Sequence, residues 1–116
     1  MRILLVDDDA PTAEALRELL EREGYAVTTA ENGQIALEAL KEDEFSVILL
    51  DLMMPVMNGY EFREEQLRDP RLASIPVIVL TADGQARLKT AQLKTKHIFQ
   101  KPLSPPALLR AIVEYC

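Results

Sequence analysis

Five short apolar runs, at 2–6, 25–29, 46–50, 76–80 and 97–100, alternate along this chain with stretches whose apolar residues recur at helical spacing. Ile3-Leu4-Leu5-Val6, Val47-Ile48-Leu49-Leu50 and Val77-Ile78-Val79-Leu80 are apolar at every position. A strand of that kind is covered on both faces, as in a parallel sheet sandwiched by helices. Between the runs, Ala13, Leu16, Leu19 and Leu20 share one face of a first helix, and Ile35, Ala36, Ala39 and Leu40 one face of a second. Strand and helix in turn, five times over, imply an α/β fold: one five-stranded parallel sheet with five helices on its two faces. Right-handed crossovers leave few other arrangements.

The punctuation agrees. Asp9 or Thr12 can cap the first helix near Pro11, which an opening turn tolerates, and Gly24 ends it. Ser104-Pro105 opens the last helix, whose Leu108, Leu109, Ile112 and Val113 would dock on the sheet. The third and fourth helices have fewer anchors: Tyr60, Phe62 and Leu67 between 58 and 69, and Ala86, Leu88, Ala91 and Leu93 between 84 and 96. Glu61, Arg63, Glu64, Glu65 and Arg68 read as a solvated helix face.

A chain of 116 residues, 48% hydrophobic, without linker or low-complexity tract, is expected to be one domain over 1–116. Acidic residues outnumber basic ones by 19 to 13, a net charge of -6, which argues against nucleic-acid binding by this chain alone. The single cysteine, Cys116, leaves no internal disulfide and no thiolate pair for a metal, which suits a reducing cytoplasm. The apolar run before Asp7 is far too short for a signal peptide or a membrane span, so no membrane partner is expected.

What the strand ends carry is more specific. Asp7 and Asp8 end the first run, Asp51 the third, Thr81 the fourth and Lys101 the fifth, and open α/β sheets place their chemistry at the carboxyl ends of strands. Three carboxylates in one crevice repel, by about 4 kcal/mol per pair at 4 Å and an effective dielectric of 20, so the cluster calls for a cation. Oxygen ligands alone favour a hard ion, Mg²⁺ first, with Mn²⁺ or Ca²⁺ as alternatives. Lys101 adds a fixed positive charge, and the Thr81 hydroxyl can donate to an oxyanion. Together these make a phosphoryl-transfer site with Asp51 as nucleophile, forming an acyl phosphate.

At these residues the chain closely resembles the receiver domains of bacterial two-component response regulators. Val6-Asp7-Asp8, Asp51-Leu52-Met53-Met54-Pro55 with Asn58-Gly59, Thr81-Ala82 and Lys101-Pro102 follow in order along the whole chain. The resemblance implies a sheet ordered 2-1-3-4-5 with the site at its topological switch. It implies Asp51 as phosphoacceptor, Asp8 and Asp51 as direct Mg²⁺ ligands, Asp7 holding the ion mainly through water, and the Met53 backbone carbonyl as a further ligand. Thr81 and Lys101 would grip the phosphoryl oxygens, with Ala82 leaving room beside them. The phosphodonor would be a histidine kinase or histidine phosphotransfer protein. Phosphorylation would switch a face made by the fourth helix, fifth strand and last helix toward a downstream protein or output domain.

Three departures from the family pattern stand out. Ile98 occupies the position, three before the lysine, where many receivers carry the aromatic that moves with the threonine; Thr81 and Ile98 are the expected switch pair. Strand alternation sends the adjacent Phe99 to the opposite face. Lys94-Thr95 replaces a common Gly-Ala pair, and the span from Thr81 to Lys101 is about two residues short. Met53 and Asp83, two positions beyond Asp51 and Thr81, stand where the family tunes attack by water on the acyl phosphate. Asp9 reads as a helix cap, His97 as structural or exposed, and Met53, Met54 and Met57 as loop packing. Two rivals remain: a pseudo-receiver that only binds, and a metal-dependent phosphohydrolase using Asp7 and Asp9, which leaves Asp51 without a role.

Overall fold

The computed structural model describes residues 2–82, 93–95, 97–101 and 104–115. Strands β1 (Arg2–Val6), β2 (Ala26–Ala30), β3 (Val47–Asp51), β4 (Val77–Thr81) and β5 (His97–Gln100) form one parallel sheet in the order β2-β1-β3-β4-β5. The middle three expected strands each sit one residue further along, so Asp51 and Thr81 are the last residues of β3 and β4 rather than the first beyond them. Four helices are described: α1 (Ala10–Arg22), α2 (Gly33–Glu42), α3 (Gly59–Arg68) and α4 (Pro105–Val113). The helix expected over 84–96, with Ala86, Leu88 and Ala91, lies outside the described residues except for 93–95, where Leu93 is helical and fully buried.

The period of two along each strand divides the core into two layers. Leu4, Val6, Ile48, Leu50, Val77, Val79 and Ile98 face α2 and α3. Ile3, Leu5, Val47, Leu49, Ile78 and Leu80 face α1 and α4, and Phe99 packs on that second side, opposite Ile98 as alternation requires. Helix α1 buries Ala13, Leu16 and Leu20; α4 buries Leu108, Ala111 and Ile112. Asp9 stands at the N-cap of α1, where its carboxylate accepts from the Thr12 hydroxyl rather than from the helix backbone. Gly24, at φ +92°, closes that helix. Ser104 is the N-cap of α4 without a side-chain bond to it.

Three faces differ from expectation. On α4, Val113 is 64% exposed rather than docked on the sheet, its place in the buried stripe taken by Ala111. On α2 the buried stripe is Gly33, Ala36 and Leu40, flanked by Leu37 and Ala39, while Ile35 is 36% exposed. The Asn32 side chain accepts from the Ile35 N–H at 2.9 Å, so the cap sets the helix's rotation. On α3, Phe62 is buried as expected, but so are Arg63 and Gln66. Arg63 therefore does not belong to a solvated face. Its Nε donates to the Leu93 carbonyl at 2.7 Å, Nη2 to the Lys94 carbonyl at 3.0 Å and Nη1 to Gln66 Oε1 at 2.8 Å. Gln66 Nε2 in turn donates to the carbonyls of Leu72 and Ile75. Burial is open to a guanidinium whose donors meet acceptors.

Candidate functional site

The switch point of the sheet lies between β1 and β3, where the chain has gone one way to β2 and the other to β3, and the crevice there opens at the carboxyl ends of the strands. Asp51 ends β3 and is only 6% exposed. Asp7, also buried, follows β1 directly; its N–H donates to the Ala30 carbonyl at 3.0 Å and its Oδ1 accepts from the Asp9 N–H at 2.9 Å. Asp8 is exposed beside them. Oxygen atoms of the three carboxylates lie within 4.8 Å of one another.

From the other side, the Lys101 N–H donates to the Thr81 carbonyl at 2.8 Å, tying the residue after β5 to the end of β4. The Lys101 ammonium then reaches across to Asp7 Oδ2 at 3.0 Å and Asp51 Oδ2 at 3.4 Å. Thr81 is fully buried at the end of its strand. Asp7, Asp8, Asp51, Thr81 and Lys101 thus occupy one end of the sheet, as their spacing along the chain implied. Asp83 and Pro102 lie outside the described residues.

Burial dominates the electrostatics. Desolvation pushes the Asp51 carboxyl up to about 6; the Met53 N–H, donating to Oδ1 at 3.2 Å, and the Lys101 charge pull it back, and Asp7 pushes it up again. For Lys101, burial works against the charged form, but the bond to Asp7 and the charges of Asp51 and Asp7 outweigh it and raise the ammonium above its ordinary value. It stays charged. Three carboxylates then face one ammonium, and the remaining negative charge, on oxygen atoms alone, fits a hard divalent cation.

The loop after β3 is shaped by close approach. A Cβ on Gly59 would lie 2.5 Å from the Asp51 carbonyl oxygen and 2.7 Å from Leu52 Cα, so only glycine lets α3 start against the end of β3. Asn58 caps that start, its side chain accepting from the Glu61 N–H while Glu61 accepts from the Asn58 N–H. Packing, not only chemistry, therefore explains the Asn58-Gly59 pair. Between them and Asp51, the Met57 N–H donates to the Pro55 carbonyl at 2.7 Å, which holds Val56 at φ +69° with its side chain 80% exposed. Met54 is buried and Met57 packs on the core, but Met53 is 60% exposed and fills no gap. Asp8, Met53, Met54, Pro55, Asn58 and Tyr60 border a cleft of about 410 Å³ at the site's edge.

Away from the site, His97 is structural: its Nδ1 lies 2.8 Å from the Tyr115 hydroxyl and its Nε2 3.3 Å from Glu114. Among the described residues no helix is long and apolar enough to cross a membrane.

Comparison with known proteins agrees with this geometry. The sequence model of the response regulator receiver domain matches residues 3–113. An uncharacterized 14.6 kDa protein of Leptolyngbya boryana is 36% identical over all of this chain and 90% of its own length. The CpxR homologue of Haemophilus influenzae, a transcriptional regulatory protein, is 40% identical over 96% of this chain, which spans only 48% of that regulator. Among solved structures, the response regulator TrrA of Thermotoga maritima, in complex with Mg²⁺ and BeF, superposes with a TM-score of 0.89 at 30% identity, over 99% of this chain and 98% of that one.

Proposed function

Because the chain belongs to the response regulator receiver domain family, we propose that it is the phosphoacceptor of a phosphorelay, taking a phosphoryl group onto Asp51 and switching a protein-interaction surface. Receiver domains bind Mg²⁺ at an acidic pocket and interact with histidine kinases and downstream effectors. For this chain the proposed donor is a histidine kinase or histidine phosphotransfer protein, and residues 1–116 act as one receiver domain.

The observation that carries this reading is the Lys101 ammonium set between Asp7 and Asp51 over a cluster of three carboxylates. Asp8 and Asp51 would hold Mg²⁺ directly, with Asp7 acting through water and the Met53 carbonyl as a further ligand. Mn²⁺ suits the same oxygens. When bound, the ion supplies charge neutralisation that lets an anionic carboxylate meet an anionic phosphoryl group. Asp51 attacks phosphorus through a carboxylate oxygen, the donor's nitrogen leaves, and an acyl phosphate forms. The phosphate adds roughly -1.5 to -2 of charge. Lys101 and the Thr81 hydroxyl receive it, and charge-assisted bonds of that kind are strong enough to shift a two-state equilibrium, which needs about 5.5 kcal/mol to go from 1:99 to 99:1.

A phosphohydrolase built on Asp7 and Asp9 is disfavoured by the geometry, since Asp9 is occupied at the N-cap of α1 and with Thr12. The test is direct. With Mg²⁺ and acetyl phosphate the protein should gain one acid-labile phosphate by intact mass, and Asp51→Asn should gain none. A phosphate that persists in Asp51→Asn would move the phosphoacceptor elsewhere.

A further inference from the structure

The buried arginine on α3 has no counterpart in the chemistry of the site. Arg63 is 6% exposed and has no carboxylate partner among its described bonds; instead it donates to two successive backbone carbonyls, those of Leu93 and Lys94, from 30 and 31 residues away in sequence. Burial lowers its pKa, and its partners among the described residues are uncharged, the two carbonyls and Gln66. The residue it grips is itself unusual. Lys94 sits at φ +52°, in the left-handed region that a lysine adopts at a cost and a glycine adopts freely.

We propose that Arg63 is a clamp coupling α3 to the turn that leads into β5, and that this clamp carries the state of Asp51 to the β5 side of the molecule. The proposal rests on the phosphoacceptor reading of Asp51. At its near end, α3 is in rigid contact with the site: Gly59 packs against the Asp51 carbonyl with no room for a methyl group, and its N–H donates to the Leu52 carbonyl at 3.0 Å. A displacement of the end of β3 therefore moves the start of α3 with it. One turn further along, Arg63 passes that movement to Leu93 and Lys94. Leu93 is fully buried and lies in the same core layer as Phe62, Val79 and Ile98. Beyond it the Thr95 hydroxyl donates to the Val77 carbonyl, and the chain enters β5 at His97. The clamp holds Lys94 at its left-handed φ, so movement of α3 reaches the turn as a displacement of the Leu93 and Lys94 carbonyls that Arg63 grips. Ile98, small and buried, has no polar tip to swing, so the route through α3 does not depend on it.

The experiment is amide NMR on the whole chain, with Mg²⁺ and beryllofluoride as the phosphoryl mimic. In the natural sequence, resonances should shift both at 51–60 and at 93–100. In Arg63→Met the shifts at 51–60 should persist while those at 93–100 fall to less than about a third. If Arg63→Met does not fold, the double variant Arg63→Met with Lys94→Gly takes its place, since glycine holds the left-handed turn without the clamp. Lys94→Gly alone keeps both carbonyls and should keep the full response with a raised Tm. Shifts at 93–100 of natural size in either Arg63→Met background overturn the clamp while leaving the phosphoacceptor reading intact, as does a natural sequence that responds at 51–60 only. The absence of any response at 51–60 in the natural sequence overturns both.

Discussion

Asp51 is held in a state that does not suit an isolated carboxylate. Burial lifts its pKa to about 6, above the ordinary value near 3.9 that it has in an unfolded chain. The folded protein thus binds more protons than the unfolded one between about pH 4 and 6, and stability from this group is present below that window and lost as pH rises through 6. Without metal, Asp51→Asn should raise the Tm at pH 8 by about 3–6 °C, the equivalent of ~1 kcal/mol in a domain of this size. The gain should vanish below about pH 4, where the natural carboxyl is already neutral. Calorimetry across that range checks it; a gain that does not vary with pH would mean that Asp51 is not the strained group. Val56 is a second strained residue, β-branched, at φ +69° and 80% exposed. Val56→Asn gives up almost no packing and relieves the left-handed backbone, so it should stabilise by about 1 kcal/mol in a denaturant titration. Asp7, Asp8, Asp51 and Lys101 were legible in the sequence because each directly ends an apolar run, and strand ends in a parallel sheet converge. Val56 was not, because turn strain depends on a backbone angle that valine does not advertise.

At the scale of elements, α3 shows how far patterning reaches. Its charged residues imply a solvated face, and Arg68 does pair with both Glu64 and Glu65 at the surface. Arg63 and Gln66, three apart, instead point inward and close the polar gaps between α3, the loop before β4 and the turn before β5. Hydrophobic periodicity cannot identify such positions, because their acceptors are carbonyls supplied by distant segments. The same blindness affected Ile35, whose exposure follows from the Asn32 cap rather than from its own apolarity. Strands fared better: with both faces covered, a run such as Val77–Thr81 has few readings, and its end was misplaced by a single residue. Gly59 supplies the element-scale prediction. Gly59→Ala places a methyl group 2.5 Å from the Asp51 carbonyl and 2.7 Å from Leu52 Cα, both backbone atoms that cannot step aside. It should cost about 1–3 kcal/mol in chemical denaturation and slow phosphorylation by acetyl phosphate, since the methyl group forces the end of β3, and Asp51 with it, away from α3.

At the scale of the whole molecule, an acidic chain brings three carboxylates together at one end of its sheet. Acidic residues exceed basic ones by 19 to 13, a net charge of -6, and at the site three carboxylates cluster with one ammonium that pairs with two of them. Folding brings those carboxylates together and the unfolded chain disperses them, so a cation that binds only the assembled cluster stabilises the fold by mass action. At a hundredfold excess of Mg²⁺ over its Kd the gain is about 2.7 kcal/mol, enough to raise Tm by roughly 10 °C in a domain of this size. The gain should be large at pH 8 and shrink below pH 6, where protonation of Asp51 competes with the metal, the reverse of the pH trend in the metal-free protein. Asp8→Ala should lose most of it, because Asp8 supplies an exposed oxygen to the cluster without serving the core. The comparison must be made at constant ionic strength, since monovalent salt also screens a chain this acidic. Equal stabilisation of the natural protein and Asp8→Ala, or by NaCl alone at matched ionic strength, would show that the cluster is only a crowded surface and not a metal site.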